Sequence, residues 1–111
     1  PNNPTGQSAD PRAIERVVRG LAERALVVVD EAYAEFAAQP SFVSRLAEFP
    51  NLAVLRTLSK AYALAGARCG ALLADPAIVE LLRRMIQPYA LPAPTMEAVL
   101  TALEEPRLVQ A

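Results

Sequence analysis

Leu55-Arg56-Thr57-Leu58-Ser59-Lys60-Ala61-Tyr62-Ala63-Leu64-Ala65-Gly66-Ala67-Arg68-Cys69-Gly70 is the stretch around which the chain of 111 residues is organised. Eleven residues of the chain are basic and ten of these are arginine, so Lys60 at the centre of the stretch is its only lysine. Ser59 places a hydroxyl beside that amine. Arg68 places a guanidinium eight residues further on, between Gly66 and Gly70. The bland reading is a solvated surface lysine, since covalent lysine chemistry is the less common use of this side chain. The alternative is an amine that forms a Schiff base, with a hydroxyl and an arginine placed to hold a phosphate. That set meets the needs of pyridoxal phosphate.

Just before this stretch, Ala53-Val54-Leu55 reads as a short apolar strand. Further upstream, Leu26 to Val29 is a continuous apolar run rich in β-branched residues. It predicts a strand buried on both faces, as in a parallel sheet covered by helices. About twenty-odd residues separate the two strands, enough for a parallel crossover. The earlier strand runs straight into Asp30 and Glu31, and Tyr33 follows. Ligands of open α/β sheets bind at the carboxyl ends of the strands, so a parallel pairing brings Asp30 and Lys60 out at one edge. The bland reading of Asp30 is a turn cap.

Composition bounds the rest. Hydrophobic residues make up 53% of the chain, enough to bury one modest core. A net charge of −1 offers no attracting field for nucleic acid or an anionic membrane. No apolar run reaches the roughly 20 residues of a membrane span. The single cysteine allows no internal disulfide, and the absence of histidine excludes His-based triads and His-ligated metal sites within the chain. No metal site is expected.

Helices frame the strands. Asp10-Pro11 reads as an N-cap followed by proline in the first turn. Ile14, Val17, Val18 and Leu21 then mark one face of an amphipathic helix of about four turns. Ser41 is a candidate cap for a short helical piece lined by Phe42, Leu46 and Phe49, and Ala34 to Pro50 offers no chemistry. Cys69 to Ala74 is a third apolar segment, with Cys69 in a packing role. Asp75-Pro76 opens a helix carrying Ile78, Val79, Leu82, Met85 and Ile86 that Pro88 stops. Met96, Val99, Leu100 and Leu103 begin another, closed by Pro106. Arg83 and Arg84 read as a solvated face. Pro1 to Gly6 is a loop in which Asn2, Asn3 and Gly6 tolerate left-handed backbone, and Asn3 is free to aim its amide at a ligand.

Three motifs thus stand in order: P-N-N-P-T-G (1–6), V-V-V-D-E-A-Y (27–33) and T-L-S-K-A-Y-A-L-A-G-A-R-C-G (57–70). Together they resemble the large domain of the fold type I pyridoxal-phosphate-dependent aminotransferases. In D-E-A-Y-A-E-F and in the lysine stretch the chain is most similar to the branch that acts on histidinol phosphate. The resemblance implies an α/β fold, a three-layer sandwich with a mostly parallel sheet and flanking helices. It implies that residues 1–111 are part of the large, cofactor-binding domain, with a preceding part and a C-terminal small domain lying outside them. The lack of an initiator Met and the opening turn cluster fit that expectation. Such a slice leaves open strand edges and an uncovered apolar face, so self-association is expected.

The resemblance also implies roles. Asn3 and Tyr33 would hydrogen-bond O3′ of pyridoxal phosphate, and Asp30 would pair with its ring nitrogen. Lys60 would carry the Schiff base; Ser59, Arg68 and Thr57 would hold the phosphate. Physical chemistry favours each assignment. A carboxylate keeps the ring nitrogen protonated, and a protonated ring draws electrons from the substrate's Cα. Arginine stays charged and grips phosphate bidentately. A free lysine has a pKa of about 10.4, too high for a good base near neutrality, where it stays protonated. Beside a cationic, partly desolvated ring its pKa falls, and Lys60 could then move a proton from Cα to C4′. The implied reaction is transamination between histidinol phosphate and 2-oxoglutarate in histidine biosynthesis, by a cytoplasmic homodimer. Two alternatives are a related enzyme such as a threonine-phosphate decarboxylase, and an aminotransferase-like effector domain of a transcription regulator.

Overall fold

The structure is a computed structural model that describes residues 1–105. Helix α1 (Pro11–Gly20) starts where the sequence places it: Asp10 caps it through a 2.9 Å bond from Arg12 N, and Pro11 sits in the first turn. It has 10 residues, shorter than the expected four turns, because Gly20 ends it before Leu21. Strand β1 (Val27–Asp30) pairs parallel with β2 (Leu52–Thr57), Val27 opposite Leu52 and Asp30 opposite Leu55. The ladder continues past β1 with Glu31 N donating to Leu55 O at 2.9 Å. Strand β3 (Gly70–Ala74) pairs with β2 in the antiparallel sense, Val54 opposite Leu73 and Thr57 opposite Gly70. The sheet order is β1-β2-β3, so β1 is an edge.

The core lies on one face of this sheet. Val18 from α1, Phe42 and Phe49 from the connection, and Leu52 and Val54 from β2 are all buried there, with Ile14, Val27, Val29, Val43 and Leu46 packed around them. The connection itself is 3-10 helical, over Ala34–Phe36 and Phe42–Glu48, and Ser41 caps the second piece by accepting from Val43 N at 3.1 Å. Phe49 closes this side, with the guanidiniums of Arg19 and Arg45 over its ring at 4.7 and 5.4 Å. Arg45 also pairs with Glu15 of α1 and with Glu48. Its hydrogen bond holds the Glu48 carboxyl below its ordinary range.

Burial of β1 differs from the sequence expectation. Val27 and Val29 face the core, but Val28 is 48% exposed. Side chains alternate along a strand, and in an edge strand only the face beneath α1 is covered. An apolar run alone cannot distinguish one covered face from two.

Asp75 caps α2 (Pro76–Arg83), accepting from Ala77 N at 2.8 Å. This helix stops short of Met85 and Ile86, which are 77% and 60% exposed. Arg84 pairs with Glu80, one turn back, in an exposed pair. Helix α3 (Ala93–Glu104) begins three residues before Met96, with prolines at its start. Pro106, read as closing it, lies outside the described residues. Cys69 is buried, as its packing role requires.

Gly70 is where β3 comes closest to β2. A Cβ there would lie 2.7 Å from the carbonyl oxygen of Arg56. Backbone cannot swing aside as a side chain can, so Gly70→Ala is expected to destabilise the fold by about 1–3 kcal/mol. A lowered urea midpoint checks this; an unchanged midpoint would mean that β2 and β3 part without cost.

Candidate functional site

Parallel pairing of β1 and β2 sends both chains out at the same edge, as the sequence predicts. Asp30 is the last residue of β1, and Thr57 is the last of β2. In the register of the pair, Asp30 lies opposite Leu55, two residues before Thr57. Side chains of residues two apart share a face, so Asp30 and Thr57 belong to one face of the sheet. This is the face opposite the core, because Val29 and Val54 point to the core.

Each exit is folded by short-range bonds. Asp30 Oδ1 accepts from Ala32 N at 2.9 Å, so Asp30 does cap its turn. Its Oδ2 has no hydrogen-bond partner among the described residues and is free for another. After β2, Thr57 Oγ1 accepts from Ser59 N at 3.1 Å. The loop then doubles back, with Ala63 N donating to Lys60 O at 2.9 Å and Leu64 N to Leu58 O at 3.0 Å. Ala63 (φ 54°) and Arg68 (φ 52°) both hold left-handed backbone. Non-glycine residues carry such strain where the surrounding structure imposes it, often beside a ligand.

Tertiary folding brings together residues far apart in sequence. Asn3 Nδ2 donates to Tyr33 Oη at 3.3 Å, across 30 positions. Lys60 Nζ lies over the Tyr33 ring, 5.3 Å from its centroid, close enough for a cation–π attraction. Tyr33 is therefore the hub joining the N-terminal loop, the β1 exit and the lysine loop. The loop of Asn3 is itself closed by Asn2 N to Gln7 O (2.8 Å) and Gly6 N to Asn2 O (2.7 Å), with Gly6 at φ +69°. A cleft of about 590 Å³ along β1 is lined in part by Asn3, Asp30 and Tyr33. Lys60, Ser59 and Arg68 are not in its walls.

Of the seven residues expected from the sequence, Asn3 and Lys60 each meet Tyr33, and Asp30 shares the cleft with Asn3 and Tyr33. Thr57 and Ser59 sit half-buried in the turn leading to Lys60. Arg68 stands apart from the others: its guanidinium is exposed and donates to Ala65 O at 3.0 Å, within its own turn.

The set has the donor chemistry that pyridoxal phosphate requires. It presents an amine for the aldehyde, a carboxylate for the ring nitrogen, an amide and a phenol for O3′, and hydroxyls and a guanidinium for the phosphate.

One cluster escaped the sequence reading, in the region that offers no apparent chemistry. Glu31 Oε2 accepts from Ser41 Oγ at 2.6 Å and from Arg56 at 3.1 Å, and Glu31 Oε1 accepts from Phe42 N at 2.7 Å. Arg56 also donates to Glu35 Oε1 at 2.6 Å. Burial opposes the charge on Arg56, but Glu35 and then Glu31 outweigh it and raise its pKa. The available signal was a charged residue inside an apolar strand, L-A-V-L-R-T, which demands a partner.

The sequence profile described as aminotransferase class I and II matches residues 1–111. The chain belongs to the class I and II aminotransferases. This aminotransferase chain is 52% identical over 104 residues to histidinol-phosphate aminotransferase 2 of Idiomarina loihiensis, covering 94% of the chain and 29% of that protein. Histidinol-phosphate aminotransferase of Sinorhizobium meliloti, solved in complex with pyridoxal-5'-phosphate, superposes with a TM-score of 0.84 at 34% identity. That match covers 99% of the aminotransferase chain and 30% of the other. L-threonine-O-3-phosphate decarboxylase of Porphyromonas gingivalis superposes with a TM-score of 0.88 over 100% of the chain and 34% of its own. At 24% identity it shares the fold alone. The aminotransferase chain thus spans 29% of the length of the Idiomarina relative.

Proposed function

We propose that these 111 residues form part of the large domain of a pyridoxal-phosphate-dependent aminotransferase that transfers the amino group of histidinol phosphate to 2-oxoglutarate. A preceding part and a small domain complete the whole protein, which works as a cytoplasmic homodimer in histidine biosynthesis. The observation that carries the reading is the meeting of Lys60, Tyr33 and Asn3 at the sheet edge where Asp30 emerges. Identity of about half to histidinol-phosphate aminotransferases supports the choice of substrate.

When bound, pyridoxal phosphate supplies an aldehyde carbon and a ring that takes up electron density from the substrate's Cα. Lys60 Nζ would hold the aldehyde carbon, and as a free amine it would carry a proton between the substrate's Cα and C4′. The Asp30 carboxylate holds the ring nitrogen and its proton. Tyr33 Oη and Asn3 Nδ2 bind O3′. Thr57, Ser59 and Arg68 would hold the phosphate.

The test is to add pyridoxal phosphate to the whole protein, reduce with borohydride and map the modified peptide by mass. Label on Lys60 supports the site; label elsewhere, or none, overturns it. Dependence of turnover on a 2-oxo acid then separates transamination from decarboxylation. The isolated chain is expected to show no turnover of histidinol phosphate with 2-oxoglutarate, because the substrate-binding parts lie outside it. Measurable turnover by the 111-residue chain would refute this.

A further inference from the structure

Arg56 occupies a position that the proposed chemistry leaves unused. It is one residue from the end of β2, and its side chain lies on the core face with Leu52 and Val54, since strand side chains alternate. Asp30 and Thr57 lie on the opposite face. Arg56 therefore touches no group assigned to the cofactor. It reaches across to the segment that follows β1 and binds it twice, at Glu31 (3.1 Å) and at Glu35 (2.6 Å). Glu31 directly follows Asp30, and Glu35 comes two residues after Tyr33. Asp30 and Tyr33, the two residues assigned to the ring system, are thus each followed within two positions by a carboxylate held on the same guanidinium. Ser41 Oγ closes the cluster, giving 2.6 Å to Glu31 and receiving 3.4 Å from Arg56.

The cluster is largely out of water. The Glu31 and Glu35 side chains are 9% and 14% exposed, and Arg56 is 29% exposed. Glu35 Oε2 is buried with no hydrogen-bond partner among the described residues. Two such carboxylates near one guanidinium hold it in one place, because moving it would leave either of them uncompensated. A planar fork can meet both at once, which a lysine ammonium cannot do with the same geometry.

We propose that Arg56 is a positioning residue: from the back of the sheet it couples the turn after β1, carrying Asp30 and Tyr33, to the turn after β2, carrying Thr57, Ser59 and Lys60. The two turns otherwise meet through the backbone bond from Glu31 N to Leu55 O and the contact of Lys60 with Tyr33. Neither of these fixes the direction of the Asp30 carboxylate relative to Lys60 Nζ. Misplacement of a reacting group by about 1 Å costs on the order of 10²-fold, so a clamp of this kind sets how well both groups engage one ligand.

This inference rests on the assignment of Lys60 and Asp30 to pyridoxal phosphate. The experiment uses the whole protein and three variants: Arg56→Met, Arg56→Lys, and a neutral triple variant with Arg56→Met, Glu31→Gln and Glu35→Gln. Three quantities are read: the apparent Kd for pyridoxal phosphate, the pH midpoint of the bound cofactor's visible absorption, and Tm. Arg56→Met is expected to raise Kd about 10-fold or more, to shift the pH midpoint and to lower Tm. Arg56→Lys falls between it and the wild type. The triple variant removes the stranded charges, so Tm recovers while Kd and the midpoint stay displaced. A wild-type Kd and midpoint in Arg56→Met would overturn the coupling. So would their return to wild-type values together with Tm in the triple variant, since the effect would then be charge burial alone. Borohydride labelling of the wild type keeps the two readings apart: no label on Lys60 overturns the site assignment and this inference with it, whereas label on Lys60 beside unchanged Arg56 variants overturns the coupling only.

Discussion

Lys60→Ala in the whole protein is expected to lower kcat by on the order of 10³-fold or more, the scale of a lost general acid–base group, and to abolish borohydride-stable attachment of the cofactor at that position. The expectation follows from arithmetic as much as from geometry. Lys60 is the only lysine of the chain, so no neighbouring amine within it can substitute. Its Nζ lies 5.3 Å from the centre of the Tyr33 ring, and Tyr33 is bonded to Asn3. The amine is thus held at the junction of all three motifs. Lys60→Arg is the informative companion. It keeps the positive charge and the stacking on Tyr33, but a guanidinium stays protonated and cannot serve as the base. Both variants should be inactive, while Lys60→Arg should keep the local fold better. If Lys60→Ala kept more than about a tenth of the wild-type kcat, the proton-transfer role would fall.

The second large effect concerns the fold that holds this junction. Leu52 opens β2, is fully buried and packs with Val18, Phe42, Phe49 and Val54. Leu52→Ala removes buried methyl groups and leaves a cavity, at a cost of about 3 kcal/mol. Small domains have only about 5–15 kcal/mol of stability. With a typical slope of urea unfolding, the midpoint should fall by about 2 M. Met85→Ala is the control. Met85 is 77% exposed, and surface changes of this kind cost at most about 0.5 kcal/mol. Urea unfolding of the 111-residue chain, followed by circular dichroism at matched protein concentration, compares the two. Equal shifts would mean that the core is not where these contacts place it. The consequence extends to the site, because β2 carries Arg56 and Thr57 at its far end.

The sequence by itself determined what depends on near neighbours. Asp10, Ser41 and Asp75 cap their helices through bonds to the residue two positions on, so a short window contains both partners. Strand positions followed in the same way from short apolar runs, and the arrival of Asp30 and Lys60 at one edge followed from parallel pairing. The lysine itself was legible because it is alone and because its motif has company at the right spacing. Only the tertiary structure decided the rest. That β3 turns antiparallel to β2, that Val28 faces outward and that Arg56 binds Glu31 and Glu35 from behind the site are all consequences of register and of which face is covered. Those depend on contacts between residues well separated in sequence, such as Thr57 with Gly70, Arg56 with Glu35 and Asn3 with Tyr33. Local pattern carries no record of them, because many partners could satisfy the same buried charge and packing selects one.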